Sequence, residues 1–129
     1  MILNITNEIV NELDSKLSDV TVLREYPQTQ PKFPCVIIEE GNLDIDLSSM
    51  DSGGYKHTNY ELTLEIYTTG GTKISKCYEI RSKIDQLMSG QYRFQRIFSD
   101  RIPNLDTNVY RYRMTFVGKI DENRVVYRR

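Results

Sequence analysis

Apolar residues near the start of the chain recur with the period of a helix. Over residues 2–18 they are spaced three or four positions apart, and asparagine, glutamate and lysine fill most of the positions between them. In a helix of 3.6 residues per turn this spacing makes one apolar stripe. We therefore predict an amphipathic helix over residues 2–18. Its stripe consists of Ile2, Ile5, Ile9, Leu13 and Leu17.

The middle of the chain has the pattern of β-strands. Residues 20–26 suit a strand, and prolines at 27, 31 and 34 then interrupt regular structure. Residues 35–39 form an apolar run typical of a strand buried on both faces. Tyr60 to Tyr67 alternates, which predicts a strand with one buried and one solvent face. Residues 40–56 are polar and acidic, and predict a protruding loop or hairpin.

A second helix is predicted after Gly70-Gly71, with Thr72 as its N-cap and Gly90 as its C-terminal cap. Strands are predicted over residues 92–98, 109–120 and 124–129. The element order is then α-β-β-β-α-β-β-β, in one domain over residues 1–129. We expect an α+β fold with a mixed or antiparallel sheet and two main helices packed on one face. The apolar side of the second helix is predicted to hold Ile74, Cys77, Ile80 (or Tyr78), Ile84, Leu87 and Met88.

Charge is distributed unevenly along the chain. Residues 1–90 carry 8 Lys and Arg against 14 Asp and Glu, a net charge of −6. Residues 91–129 carry 9 basic against 4 acidic residues, a net charge of +5. Opposite charges on two segments can be satisfied within one fold or between copies of it. The overall charge of −1 is a poor fit to a dedicated nucleic-acid-binding protein.

Cys35 and Cys77 lie in unrelated contexts and are expected to be buried free thiols, although a bridge between them is left open. The start of the chain does not have the pattern of a signal peptide. No stretch approaches the roughly 20 apolar residues of a membrane-spanning helix. We therefore expect a cytoplasmic protein that does not enter a membrane.

The residues that usually carry catalysis are sparse. The one histidine, His57, is expected to be solvated at the start of a strand, because no triad partner lies near it in sequence. The acidic clusters are Glu39-Glu40 and Asp44-x-Asp46, which lacks the central glycine and the glutamate of a calcium loop. We expect no enzymatic activity, no cofactor and no metal. The enzyme alternative is a small hydrolase that uses Glu39 or Glu40.

Arg111 and Arg113 are predicted to share one face of the long strand, opposite Tyr110 and Tyr112. Three interpretations of this face stay open: a solvated surface, a contact with acidic groups of another subunit, or a weak contact with a nucleic-acid backbone.

The order of these segments resembles the tail terminator family of long-tailed, siphovirus-type phages and prophages, also called tail-completion or head–tail joining proteins. The resemblance covers nearly the whole chain and rests on pattern and order, not on a catalytic signature. The segments that carry it are Tyr26-Pro-Gln-Thr-Gln-Pro-Lys-Phe-Pro-Cys-Val-Ile-Ile-Glu-Glu, Asp51-Ser-Gly-Gly, the Tyr60–Tyr67 strand, the helix with Cys77 and Ile80, Ile102-Pro-Asn-Leu-Asp, the Arg111–Phe116 strand and Val126-Tyr-Arg-Arg.

The resemblance implies a subunit without enzymatic activity that forms a hexameric ring on the head-proximal end of the tail tube. Such a ring ends tube polymerisation, contacts the tube protein and the head connector, and lets DNA pass through its lumen. The protein would be assembled in the cytoplasm of the bacterial host and then lie in the neck of the virion. The structural alternative is a minor head or neck adaptor protein.

A ring needs two different surfaces on each subunit, joined head to tail. We hypothesise that the acidic loop of one subunit, with Asp44, Asp46 and Asp51, contacts Arg111 and Arg113 of the next.

Overall fold

The computed structural model describes residues 2–24, 32–46, 57–103, 106–121 and 126–127, with only the backbone path for residues 2–4, 42–46, 57–59, 119–121 and 126–127. The elements are helix α1 (Ile2–Lys16), strands β1 (Thr21–Leu23), β2 (Cys35–Asp46) and β3 (His57–Thr69), helix α2 (Lys73–Asp85) with a π-helical extension (Gln86–Gln91), and strands β4 (Gln95–Ile102), β5 (Val109–Asp121) and β6 (Val126–Tyr127). This order and the α+β class confirm the prediction from sequence.

The sheet follows the order β1-β2-β3-β5-β4, and β6 also pairs with β5. The β1–β2 pair is parallel and the other pairs are antiparallel, so the sheet is mixed. β3 and β5 pair along their full length, from His57 opposite Asp121 to Thr69 opposite Val109. β1 therefore lies at one edge of the sheet and β4 at the other.

Both helices pack on one face of this sheet, as the alternation of the strands predicts. α1 buries Ile5, Ile9 and Leu13 against it. On the strands the same core contains the inward positions of β3 and β5, including Leu62, Leu64, Met114 and Phe116. Its further members are Leu17, Val20, Val36, Ile38, Tyr60, Ile66, Cys77, Ile80, Ile84, Leu87, Met88, Tyr92, Phe94 and Tyr112.

Three details of α2 differ from the prediction. Ile74 is 54% exposed, because the apolar side of the helix turns towards the sheet only from Cys77 onwards. Thr72 occupies the N-cap position, but its side chain makes no capping hydrogen bond. Gly90 lies inside the π-helical extension and does not end the helix, because the extension buries Leu87 and Met88 and ends only at Gln91.

The second face of the sheet is not the solvent face that the alternation of β3 predicts. Cys35, Ile37, Tyr67 and Val109 are buried together there, with Leu23 and Phe33 packed against them. Glu65 on β3 is only 7% exposed on the same face. β2 is buried on both faces, as predicted, since Cys35 to Ile38 are all buried.

The two cysteines lie on opposite faces of the sheet. Cys35 belongs to the cluster with Tyr67, and Cys77 belongs to the core under the helices. Both are free thiols, as expected, and the sheet between them excludes a bridge. In the described part of the chain, no helix has the length and apolar character needed to cross a bilayer.

Candidate subunit interface

Two of the acidic residues nominated from sequence, Asp44 and Asp46, lie at the far end of the paired strands β2 and β3. β2 extends beyond the predicted strand to Asp46, and its end pairs with the start of β3. Asp44 is opposite Asn59 and Asp46 is opposite His57. Asp51 lies outside the described residues, together with the rest of residues 47–56 of the predicted loop.

Arg111 and Arg113 lie side by side on β5, as predicted, and both bind Glu65 of the same chain. The Arg111 Nη2 donates to both carboxylate oxygens of Glu65, at 3.0 and 2.9 Å. The Arg113 Nε donates to Glu65 Oε2 at 2.7 Å, and the Tyr67 hydroxyl donates to Oε1 at 2.7 Å. We call Glu65, Tyr67, Arg111 and Arg113 the Glu65 cluster.

Strand pairing builds this cluster. Glu65 is opposite Arg113 and Tyr67 is opposite Arg111 in the β3–β5 register, so all four side chains project from the same face. The Arg111 guanidinium carbon also lies 5.6 Å from the centre of the Tyr67 ring. The Tyr67 ring therefore lies within cation–π distance of the guanidinium that binds Glu65.

The cluster keeps Glu65 ionised although it is buried. Burial alone would raise the pKa of Glu65, but hydrogen bonds from Tyr67, Arg111 and Arg113 outweigh it and lower the pKa below its ordinary value. Burial would lower the pKa of Arg111, and Glu65 raises it instead. Two arginines surround one carboxylate, so the cluster carries one excess positive charge.

Within one chain Asp44 and Asp46 do not lie beside Arg111 and Arg113 on the sheet. Asn59, which pairs with Asp44, is opposite Lys119 on β5, whereas Glu65 is opposite Arg113. Six residues of strand at 3.3 Å each separate these rows by about 20 Å. The structure brings Arg111 and Arg113 together on Glu65, and the contact with Asp44, Asp46 and Asp51 of a neighbour stays a prediction.

Of the two residues in the hydrolase alternative, Glu39 is exposed and Glu40 makes contacts that hold the fold together. The Glu40 Oε2 accepts a hydrogen bond from Thr6 at 2.5 Å, and its Oε1 accepts one from Arg24 at 3.1 Å. Thr6 also hydrogen-bonds the buried Tyr60 hydroxyl. Burial raises the pKa of Tyr60 to about 12. These contacts attach α1 to β2 and β3, and Arg24, which follows β1, also donates to Asn7 of α1 at 3.0 Å. Among the described residues, no three His, Cys, Asp or Glu side chains are grouped to hold a metal ion.

A second surface, which the sequence did not reveal, lies between α2 and β4. Tyr78 is 64% exposed, one helical turn beyond the exposed Ile74. The Arg81 guanidinium carbon lies 4.6 Å from the Tyr78 ring centre and 4.2 Å from that of Tyr112. Its Nε is buried and finds no hydrogen-bond acceptor among the described residues.

The strand side of this surface is basic. Arg96 on β4 pairs with Asp85 of α2 at 3.2 Å. Arg101 lies over the Tyr110 ring, 5.6 Å from its centre. Arg96 is opposite Phe116 and Arg101 is opposite Tyr112, both of which face the helices, so these arginines project to the helix side. We define the α2–β4 surface as Ile74, Tyr78, Arg81, Asp85, Arg96 and Arg101.

The comparisons with known proteins find similarity in structure only. No family model matches this chain, and no curated protein matches it. Among solved structures, the chain is similar to one in the "Virion of native gene transfer agent (GTA) particle". The TM-score is 0.59 at 9% sequence identity, and the match covers 84% of each chain. At this identity the similarity concerns the fold.

Proposed function

We propose that this protein is a structural subunit of a phage-like virion, and that it forms the ring that caps the head-proximal end of a tail tube. The observation that carries the proposal is the shared fold with a chain of a gene transfer agent virion over 84% of both chains. The order of segments that resembles tail terminators supports the specific place in the particle.

The size of the subunit supports a ring. A folded chain of 129 residues has a radius of gyration of about 14 Å. One such subunit is too small to surround a DNA duplex, so a DNA-conducting lumen needs several copies. Cyclic assembly joins two unlike surfaces head to tail. β1 and β4, at the two edges of the sheet, provide unlike sides for such a contact. We propose a hexamer that contacts the tube protein on one side and the head connector on the other.

The structural role requires no catalytic centre. The protein would act by shape and by contact between subunits, without turnover of a substrate or a cofactor. Its place would be the neck of the virion, after assembly in the bacterial cytoplasm.

The hypothesised contact between Asp44, Asp46 and Asp51 of one subunit and Arg111 and Arg113 of the next belongs to this proposal. Reversal of the arginines would test it poorly, because both support Glu65 within the fold. The sharper variant is Asp44→Lys with Asp46→Lys. If these aspartates bind the neighbouring arginines, the variant stays folded by circular dichroism but fails to cap tubes. Capping at the wild-type level would exclude this pairing.

The proposal is tested by tube growth. Tail tubes without an end cap lengthen when tube protein is supplied, and the wild-type protein should stop this growth at substoichiometric ratios to tube protein. Tube lengths are measured by negative-stain electron microscopy, with heat-denatured protein as the control. Unchanged growth at saturating protein would refute the tail terminator role.

The alternative role, a minor head or neck adaptor, predicts a different partner. In that case the protein would bind connector-bearing heads and leave tube growth unchanged. Cosedimentation with purified heads and with purified tubes separates the two roles.

A further inference from the structure

A small polar cavity lies on the α2–β4 surface, between the flank of α2 and the edge strand β4. Its volume is about 160 Å³, below the roughly 300–1,000 Å³ of sites for drug-sized ligands. It therefore has room for one small chemical group. We call it the Arg81 cavity, and the residues that line it are Tyr78, Arg81, Ser82, Asp85, Arg96 and Met114.

Arg81 gives this cavity a cation that has no counter-charge among the described residues. Its guanidinium makes no hydrogen bond or ion pair with them, and its buried Nε lacks an acceptor. Asp85, one helical turn further along α2, is placed to pair with it. Instead Asp85 Oδ2 pairs with Arg96 Nη1 at 3.2 Å, and its Oδ1 accepts a hydrogen bond from Ser89 at 3.4 Å. Because buried polar groups are nearly always hydrogen-bonded, the donors of Arg81 favour an acceptor from outside the chain.

Two tyrosine rings hold the Arg81 guanidinium in position. Its central carbon lies 4.6 Å from the ring centre of Tyr78 and 4.2 Å from that of Tyr112, within cation–π distance of both. Tyr112 is buried, and its hydroxyl forms a 2.6 Å hydrogen bond with Ser99, which fixes the ring. The cation is therefore positioned before a ligand arrives, and this lowers the entropy cost of binding.

The charges at the cavity favour an anion with a single negative charge. Arg81 and Arg96 are positive and Asp85 is negative, so the lining carries one excess positive charge. A guanidinium binds a carboxylate through two parallel hydrogen bonds. A phosphate dianion would bring a second negative charge close to Asp85, where like charges repel. A carboxylate therefore fits the cavity better than a phosphate group.

The residues beside the cavity favour a polypeptide as the carrier of this carboxylate. Two charge-assisted hydrogen bonds alone correspond to a dissociation constant of roughly 1 mM, which is weak for a free small molecule. Tyr78 is 64% exposed at the cavity, and Ile74, one helical turn before it, is 54% exposed. Both offer apolar area to the residues on either side of an acidic side chain.

We propose that the Arg81 cavity binds the carboxylate of an aspartate or glutamate side chain of a partner polypeptide. The terminal nitrogens of Arg81 donate to the carboxylate, and the Ser82 hydroxyl in the lining is a further donor. The site lies on the helix side of the sheet, opposite the face that carries Arg111 and Arg113. The inference does not depend on the proposed ring, and its test uses the isolated full-length protein.

The test is a titration followed by ¹H–¹⁵N NMR through the Arg81 Nε–H signal and the Ser82 backbone amide. The probes are acetate, inorganic phosphate, the peptide acetyl-Leu-Glu-Leu-amide and its glutamine counterpart acetyl-Leu-Gln-Leu-amide, all at constant ionic strength. Acetate should shift both signals saturably, with a dissociation constant of roughly 1 mM, and phosphate should bind more weakly. The glutamate peptide should bind about tenfold more tightly than acetate and at least about tenfold more tightly than the glutamine peptide.

Variants locate the binding at Arg81. Arg81→Gln should weaken binding of the glutamate peptide by at least about tenfold, and Arg81→Lys, which keeps the charge but loses the paired donors, should also weaken it by about tenfold. Arg101→Gln is the matched control, because Arg101 belongs to the α2–β4 surface but does not line the cavity. It should stay within about twofold of the wild type. Circular dichroism verifies the fold of each variant, and the Ser82 amide reports binding where Arg81 is replaced.

The proposal is overturned if acetate gives no saturable shift, if phosphate binds more tightly than acetate, or if the glutamate and glutamine peptides bind equally. Wild-type affinity in a folded Arg81 variant would also overturn it. Acetate that binds as tightly as the glutamate peptide would exclude a polypeptide as the carrier. If neither Arg81 variant folds, the comparison of the two peptides on the wild-type protein decides.

Discussion

Replacement of Glu65 by glutamine tests whether the second face of the sheet depends on a buried ion cluster. Glu65 is 7% exposed and accepts hydrogen bonds from Tyr67, Arg111 and Arg113. The glutamine side chain would keep the shape and one accepting oxygen, but it would leave two guanidinium groups without a counter-charge. Hydrogen bonds to charged groups contribute about 1.5–3 kcal/mol each.

The arginines are partly solvated, which limits the effect. The side chains of Arg111 and Arg113 are 25% and 39% exposed. Water can therefore replace part of the hydrogen bonding and charge stabilisation that the Glu65 carboxylate gives to the arginines. We therefore expect Glu65→Gln to lower the free energy of unfolding by about 2 kcal/mol, less than the 3–5 kcal/mol of a fully buried pair. Urea denaturation should show the midpoint lowered by about 1 M.

A matched control and the pH dependence make this test specific. Glu61 is on the same strand and the same face and makes no ion pair among the described residues, so Glu61→Gln should change stability by less than about 0.5 kcal/mol. The pKa of Glu65 lies below its ordinary 4.5, so its stabilisation is present above pH 4.5 and is lost as the pH falls through the lower, folded-state value. The difference between wild type and variant should therefore shrink on acidification. The role of the cluster would be refuted if Glu65→Gln lowered the free energy of unfolding by less than about 0.5 kcal/mol at pH 7. It would also be refuted if the difference in stability between wild type and variant grew in acid.

Three further predictions follow from the core and its polar contacts. Leu13→Ala should lower the free energy of unfolding by about 2–5 kcal/mol in urea denaturation, because Leu13 is fully buried between α1 and the sheet; a loss near zero would contradict that packing. Cys35 and Cys77, whose pKa values burial raises to about 11, should not react with Ellman's reagent at pH 8 in the native state and should both react in urea; rapid native labelling would contradict their burial. Thr6→Val should cost about 1–3 kcal/mol against a neutral Asn11→Ala control, since it leaves Tyr60 and Glu40 without a shared partner, and a neutral result would show that this contact does not attach α1.

The architecture was predictable because periodicity follows burial directly. The three- and four-residue spacing of α1 and the alternation of β5 each reflect one face turned to the common core, and the structure has both elements within two residues of the prediction. The same alternation places Arg111 and Arg113 on one face of β5.

What the sequence could not reveal depends on contacts between distant segments. Glu65 looks like a solvent position because alternation alone cannot show that the β3–β5 register places Arg113 opposite it, 48 residues away. The exposure of Ile74 depends on how α2 is rotated on the sheet, and one apolar residue at a helix start does not fix that rotation. The α2–β4 surface was missed for the same reason, since it joins a helix flank to an edge strand. The only local signal for it was the spacing of Ile74, Tyr78, Arg81 and Asp85 along α2.

Cryo-electron microscopy of uncapped tail tubes mixed with the wild-type protein addresses whether copies of this chain close a collar at the tube end. We predict one ring at a single end of each tube, with several copies of the α+β subunit around an open channel wide enough for a DNA duplex. Tubes with bare ends, or with protein bound along their sides, would contradict the proposed role.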